Sequence, residues 1–98
     1  MNKPVYWTEN AKKNIFELAD HLLINWGVKV TEEYLQKIEY LVVLISDNPK
    51  LFPLINPKLK IRKCVISKHN SIYYKEKRYS IDILNILDNR QIRNKPKL

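Results

Sequence analysis

The chain has 98 residues, of which 45% are apolar, and its formal net charge is +8. This length suits one domain, which we expect over residues 1–98, and the apolar content excludes a wholly disordered chain. The single cysteine excludes an internal disulfide framework and a cysteine-based zinc site. Neither a signal segment nor a membrane-length apolar run stands out, so we expect a cytoplasmic protein without a membrane partner.

The positive charge is concentrated in the second half of the chain. Residues 1–47 contain 5 Lys or Arg against 7 Asp or Glu, whereas residues 48–98 contain 13 against 3. A field this one-sided favours a polyanionic partner, namely nucleic acid, an anionic membrane surface or an acidic protein. The alternative is that the lysines simply solvate the surface, although solubility does not require them to be segregated.

The start of the chain predicts a strand followed by a helix. Residues 4–7 are bulky and favour an extended backbone, and Thr8 is suited to cap the N-terminus of a helix. Apolar residues then recur at helical spacing as far as Trp26. Gly27, the only glycine, falls where a helix C-terminus favours a left-handed residue.

A second helix is predicted to begin near Thr31, whose hydroxyl we expect to cap it, and to end at Asn48-Pro49. Its apolar stripe again has helical spacing. Because only about four residues join the two helices, they should form an antiparallel hairpin.

The second half of the chain predicts a loop, three strands and a tail. Three prolines in residues 49–57 indicate a loop without regular structure. Strand-like runs follow at residues 59–67, 71–75 and 79–87, separated by breaks short enough for hairpin turns. Residues 88–98 are polar and basic, and we expect a loosely held C-terminal tail. The predicted class is α+β, with an N-terminal strand and a two-helix antiparallel hairpin packed on a mostly antiparallel four-stranded sheet.

Three segments of the sequence resemble the RelE/ParE superfamily of type II toxin–antitoxin toxins, also known as the plasmid stabilisation family. They are VYWTENAKKNIFELADHLLINW, KIRKCVISKHNSIYY with its apolar-aromatic triplet, and IDILNILDNRQIRNKPKL with its D-x-R-Q step. The resemblance implies a growth inhibitor that a co-expressed antitoxin neutralises. RelE-like members cleave messenger RNA in the ribosomal A site, whereas ParE-like members poison DNA gyrase.

Cationic residues around the predicted sheet form the candidate surface for a nucleic acid or another target. We expect them to converge on one concave face, where they would bind phosphates by charge neutralisation and counterion release. Arg62 and Arg90 are the strongest candidates, because each matches a basic position of the family pattern. The full set is Lys60, Arg62, Lys63, Lys68, Arg78, Arg90 and Arg93.

A ribonuclease would also need acid–base groups. His69 has a near-neutral pKa by residue type and falls in a predicted turn, and Tyr73 or Tyr74 would assist it. Arg62 and Arg90 would stabilise the phosphorane charge. The alternative for His69 is a turn histidine without chemistry.

Two departures from the ribonuclease pattern favour the ParE-like activity slightly. Nuclease members carry an Arg at the start of the strand with the aromatic triplet, where this chain has Asn70 or Ser71. The His-Tyr pair that some members carry after the last strand is also replaced, by Asn89-Arg90-Gln91. The alternatives are a RelE-like ribosome-dependent endoribonuclease and a degenerate toxin that acts only as a binding module with its antitoxin.

The expected partners are an acidic antitoxin and either gyrase or the ribosome with its messenger RNA. The antitoxin should be partly disordered, cover the sheet or the helical hairpin, and bury apolar side chains such as Phe52 and Leu54. No Gly-rich phosphate loop or metal-ligand cluster is apparent, so no cofactor, metal or small-molecule substrate is expected.

Overall fold

The computed structural model describes residues 2–90 as one helical layer on one face of a five-stranded sheet. The elements in chain order are β1 (Val5–Trp7), α1 (Glu9–Asp47), β2 (Leu54–Asn56), β3 (Ile61–Val65), β4 (Asn70–Glu76) and β5 (Ile81–Asp88). The strands lie in the order β1-β5-β4-β3-β2, and β1 pairs parallel to β5 while the other neighbours are antiparallel. The predicted α+β class is confirmed.

Gly27 interrupts α1 and divides it into two arms, residues 9–26 (first arm) and 28–47 (second arm). Its φ of 85° and ψ of −179° lie in a region open essentially only to glycine. The predicted positive φ is therefore confirmed. The predicted cap at Thr31 is wrong, because this residue lies inside the second arm and its hydroxyl donates to the Gly27 carbonyl at 2.8 Å.

The two arms run antiparallel, as the hairpin prediction requires. Near the end of the second arm, the Ser46 hydroxyl donates to the Lys3 carbonyl at 2.7 Å, so this arm returns to the start of the chain. Midway along the hairpin, Ile15 of the first arm and Ile38 of the second arm line the same surface groove.

A β-bulge in β5 fixes where the first arm attaches to the sheet. The register moves from Tyr73↔Asn85 to Tyr74↔Ile83, which makes Leu84 the extra residue. The Thr8 hydroxyl donates to the carbonyls of Ile83 and Leu84 at 2.8 and 3.0 Å. The same oxygen accepts from the Ala11 N–H at 3.2 Å, which confirms the predicted N-cap and joins the helix start to the bulge.

The bulge also sets which side chains of β5 enter the core. Ile81, Ile83 and Ile86 all belong to the core cluster under α1, a spacing that strict strand alternation does not allow. The apolar run at the end of β5 therefore arises from this change of phase. On β4, alternation places Ile72 and Tyr74 in the same core.

The predicted loop between α1 and the second half of the sheet contains a strand. Residues 54–56 form the short edge strand β2, which pairs antiparallel with β3, so the sheet has five strands where four were predicted. The expectation that prolines exclude regular structure is wrong here, because Pro53 and Pro57 flank the strand and an edge strand tolerates missing donors. The sequence assigns Asp88 to the C-terminal tail, but Asp88 is the last residue of β5. Residues 91–98 of that tail lie outside the described residues.

We expect Gly27→Ala to destabilise the fold by about 1–3 kcal/mol, the cost of holding a residue with a Cβ in this backbone region. No atom of a more distant residue lies within 4 Å of the position such a Cβ would occupy, so the expected cost is backbone strain. Urea unfolding followed by circular dichroism measures it. Lys29→Ala, an exposed change two residues away, should stay within about 0.5 kcal/mol of the parent. Equal stability of the Gly27 variant and the parent would show that the kink relaxes freely.

Candidate functional site

The sheet register separates the two arginines that the sequence favours as partners. Arg62 on β3 is paired with Tyr74 of β4, whereas Arg90 follows Asp88, which is paired with Asn70 at the other end of β4. Four residues of strand, about 13 Å, lie between these two pairs at ~3.3 Å per residue. The described structure therefore does not bring Arg62 and Arg90 together.

Arg62 is engaged in holding the segment that follows α1. Its Nη1 donates to the Phe52 carbonyl at 2.8 Å, and the hydroxyl of the neighbouring Tyr74 donates to the Pro49 carbonyl at 2.6 Å. These two bonds fasten both ends of the segment 49–52 to the helix-covered face of the sheet. The bond to the Phe52 carbonyl therefore gives Arg62 a structural role that does not depend on target binding.

Tyr73 and Tyr74 are both buried, on opposite faces of β4. Burial raises the pKa of Tyr74 to about 12, and it also raises the pKa of Tyr73. The Tyr73 hydroxyl has no hydrogen-bond partner among the described residues. Neither phenol is ionised at neutral pH, so neither serves as a general base in this state.

The other predicted cationic residues are distributed over both faces and both ends of the sheet. Lys63 shares the face of Tyr73, opposite to Arg62, and Lys60 lies in the turn before β3 with a φ of 60°. Lys68 lies in the exposed β3–β4 turn. Arg78 lies in the β4–β5 turn at the opposite end, where its guanidinium carbon is 5.5 Å from the centre of the Tyr79 ring. Arg93 lies outside the described residues.

His69 and Arg90 are brought together, at a cleft that sequence reasoning did not foresee. This hairpin–turn cleft lies between the α1 hairpin and the β3–β4 turn and encloses about 540 Å³. It contains both histidines of the chain. The residues that line it are Glu17, Leu18, His21, Leu22, Trp26, Tyr34, His69, Asn70, Asp88 and Arg90.

The turn that carries His69 is held by two polar side chains. The Tyr34 hydroxyl is 2.8 Å from Ser67 Oγ and donates to Asn70 Oδ1 at 2.9 Å. Asn89 bonds to the turn through its side-chain amide, which donates to the carbonyls of Ser67 and residue 68, and through its own N–H, which donates to the His69 carbonyl at 2.8 Å. Burial raises the pKa of Tyr34, so this hydroxyl stays protonated and able to donate.

His21 is an exposed residue of the first arm that lines the cleft. Its Nδ1 is 3.2 Å from Asn25 Nδ2, which also donates to the His21 carbonyl at 2.8 Å. Glu17, one turn before His21, lines the same wall. This spacing is the only sequence signal that groups them.

Cys64 is fully buried and is not part of a disulfide. Burial raises the pKa of this thiol to about 11, which leaves it protonated and unreactive. Within residues 2–90, no group of three or more His, Cys, Asp or Glu side chains is arranged to hold a metal ion. The same part of the chain contains no helix that is long and apolar enough to cross a membrane.

Replacing each tyrosine of the aromatic pair by phenylalanine should separate a bonded hydroxyl from an unbonded one. Tyr74→Phe leaves the Pro49 carbonyl without its partner and should cost about 1–2 kcal/mol of unfolding free energy. Tyr73→Phe removes a buried hydroxyl that has no described partner and should be neutral or slightly stabilising. Chemical denaturation of both variants tests the contrast, and the reverse order of stabilities would contradict this assignment of contacts.

The comparison with protein families gives one match that spans most of the chain. The profile described as "ParE toxin of type II toxin-antitoxin system, parDE" matches residues 5–93. A search of curated protein sequences gives no match.

Solved structures share the fold at low sequence identity. The chain is similar to a structure of the chromosomal ParDE system from P. aeruginosa, with a TM-score of 0.73 at 20% identity over 88% of this chain and 95% of that one. It is also similar to YafQ from E. coli, with a TM-score of 0.64 at 13% identity over 92% and 97% of the two chains. YafQ in the E. coli DinJ-YafQ toxin-antitoxin complex gives 0.63 at 13% identity over 94% and 98%. On the family match, which covers far more than half of its length, this chain belongs to the ParE toxins of type II toxin–antitoxin systems.

Proposed function

We propose that this toxin inhibits growth by binding a large cellular machine and that it performs no chemistry of its own. DNA gyrase is the first candidate for this target. The observation that carries the proposal is the dispersal of the ribonuclease candidates. Arg62 donates to a backbone carbonyl, Tyr73 is buried, and His69 lies at the far end of β4 from Arg62. General acid–base catalysis requires these groups within hydrogen-bond reach of one substrate.

The proposal includes an acidic antitoxin that covers the outer face of the helical hairpin. A groove formed by both arms and by Trp7 of β1 is lined mainly by apolar side chains, among them Ile15 and Val43. Phe16 and Tyr40 are exposed by 73% and 63% on the same hairpin, an apolar surface that an amphipathic helix would bury. Phe52, by contrast, already packs against the core, so the alternative site around Phe52 and Leu54 offers less free surface.

Ribosome-dependent cleavage of messenger RNA is the second candidate, and one observation favours it. The hairpin–turn cleft has two imidazoles, of His21 and His69, and the Arg90 guanidinium in its lining. These are the residue types for proton transfer and for stabilising a phosphorane. A nuclease built on this cleft would differ from the catalytic set predicted from the sequence, since it would use His21 in place of Arg62 and Tyr73.

Gyrase assays and RNA mapping distinguish the two functions. We expect micromolar toxin to inhibit supercoiling by gyrase and to accumulate cleaved DNA, while primer extension on translated messenger RNA after induction shows no codon-linked cuts. His69→Gln should leave growth inhibition unchanged, because the side chain contributes no chemistry in this proposal. Codon-linked cuts that fall by about 10²–10³-fold in His69→Gln would instead establish the nuclease. Failure of the induced protein to slow growth would identify a degenerate toxin.

Binding of the antitoxin should depend on the hairpin groove. Val43→Asp places a charge in the groove and should weaken the cognate antitoxin at least tenfold, because a buried unpaired carboxylate is costly. Val65→Asp is the matched control, since Val65 is similarly exposed but lies on β3. Isothermal titration calorimetry with the cognate antitoxin protein measures its affinity for both variants. The opposite ranking would assign the antitoxin to the sheet.

A further inference from the structure

We propose that the β4–β5 turn, residues 77–80, is the surface through which this toxin contacts its protein target, and that the target presents an acidic surface to it. The inference rests on the proposed function, since it names the contact by which a toxin without chemistry of its own would act. The turn lies at the opposite end of β4 from the hairpin–turn cleft, and its residues do not line the groove proposed for the antitoxin.

The tip of this turn is built from residues that tight β-hairpins rarely use. The Lys77 N–H donates to the Ser80 carbonyl at 2.7 Å, so Arg78 and Tyr79 form the tip. Two-residue tips favour Asn and Gly, because the turn types that match the strand twist need a positive φ. Among the described residues other than glycine, Lys60 alone has a positive φ, so the tip has a backbone that suits its strands less well. Local rules of this kind are broken mostly at functional sites.

A lysine from the start of the chain holds the turn in this shape. Lys3 Nζ donates to the Lys77 carbonyl at 2.7 Å and to Glu76 Oε2 at 2.8 Å. A second ion pair joins Lys77 Nζ to Asp82 Oδ2 at 2.8 Å. The tip is therefore positioned before a partner arrives, so little ordering is needed on binding.

The two side chains of the tip form an exposed aromatic–cation pair. Tyr79 is 76% exposed, and the Arg78 guanidinium carbon is 5.5 Å from the centre of its ring. Contact with the ring face orients the guanidinium, whose N–H donors match the oxygens of a carboxylate. Tyrosine and arginine are enriched at the centres of protein interfaces, where a few residues contribute most of the binding energy. The tip therefore has the composition of an interface hot spot.

The face of the sheet opposite to α1 extends this surface beside the tip. Tyr6 of β1 and Lys75 of β4 are both paired with Asp82 of β5, so the three side chains share one face. Tyr6 is 55% exposed. Because Lys77 neutralises Asp82, the cations without an ion pair in this described region are Lys75 and Arg78.

The carboxylates around the turn decide between a nucleic acid and a protein as its partner. Lys3 and Lys77 are already paired with Glu76 and Asp82, so these lysines are poorly placed to neutralise a row of phosphates. Two exposed tyrosines beside the remaining cations match a protein surface that combines carboxylates with apolar groups. The turn therefore fits an acidic protein.

The test compares variants of two exposed turns in the full-length toxin. Arg78→Glu and Tyr79→Ala change the β4–β5 turn. Lys58→Glu and Leu59→Ala are the matched controls, because Lys58 is exposed and Leu59 is 48% exposed in the turn between β2 and β3. All four positions are at the surface, and thermal unfolding verifies that the variants fold.

Three measurements are made on each variant: growth inhibition at matched expression, inhibition of supercoiling by purified gyrase, and affinity for the cognate antitoxin by calorimetry. We expect both β4–β5 turn variants to raise the toxin concentration for half-inhibition at least tenfold, an effect typical of hot-spot residues. Their antitoxin affinity should stay within about twofold of the parent, since such surface changes lie away from the groove. The controls should match the parent in all three measurements. Higher salt should slow association of the parent with gyrase more than that of Arg78→Glu, because the partner is acidic.

The outcomes distinguish a wrong surface from a wrong target. Turn variants that inhibit growth as strongly as the parent would overturn this proposal alone, and so would an equal loss in the controls. Loss of antitoxin affinity in the turn variants would assign the turn to the antitoxin, and a DNA or RNA gel shift that only they abolish would assign it to nucleic acid.

A parent toxin that slows growth without affecting gyrase would contradict gyrase as the target. The surface proposal would then still hold if the turn variants no longer slow growth. Codon-linked cuts that the turn variants make as fast as the parent, or a parent that does not slow growth, would contradict both proposals.

Discussion

The bulge in β5 is the constraint on which the rest of the structure depends. An extra residue in a strand leaves backbone groups without ladder partners, and buried unpaired groups are costly. The Thr8 hydroxyl donates to the carbonyls of Ile83 and Leu84, and Asn14 Oδ1 accepts from the Ile86 N–H at 3.0 Å. The first arm therefore completes the hydrogen bonding of the strand it covers. This arrangement fixes the position of the hairpin relative to the sheet, and with it the position of the hairpin–turn cleft.

Gly27 and the β3–β4 turn complete the cleft from its two sides. The kink at Gly27 lets the second arm reverse direction, which places Tyr34 over the turn. Tyr34 and Asn89 then hold that turn against the hairpin, although one belongs to α1 and the other follows β5. Three parts of the chain that are distant in sequence thus meet at one end of the sheet.

Local signals in the sequence predicted most of the elements. Thr8, Gly27 and Asn48-Pro49 act through capping and backbone geometry, which depend on a few neighbouring residues, and all three mark the observed boundaries of the helical arms. The bulge, the edge strand β2 and the back-bonding of Thr31 were not predicted. The bulge and β2 depend on how one strand pairs with another, whereas the bond of Thr31 to Gly27 is local. The hydroxyl of Thr31, for example, suits a cap and an internal bond equally well by residue type.

The candidate site shows the same limit more strongly. The basic half of the chain predicts that its cations converge on one face of the sheet, but charge counts do not determine the face on which each side chain lies. Alternation along β3 places Arg62 and Lys63 on opposite faces, and the antiparallel order places His69 and Arg78 at opposite ends of β4. The positive field is therefore distributed around the sheet, which suits long-range attraction of an anionic partner. Specific recognition requires a smaller place where charge and an aromatic surface converge, and in the described structure the tip of the β4–β5 turn combines both.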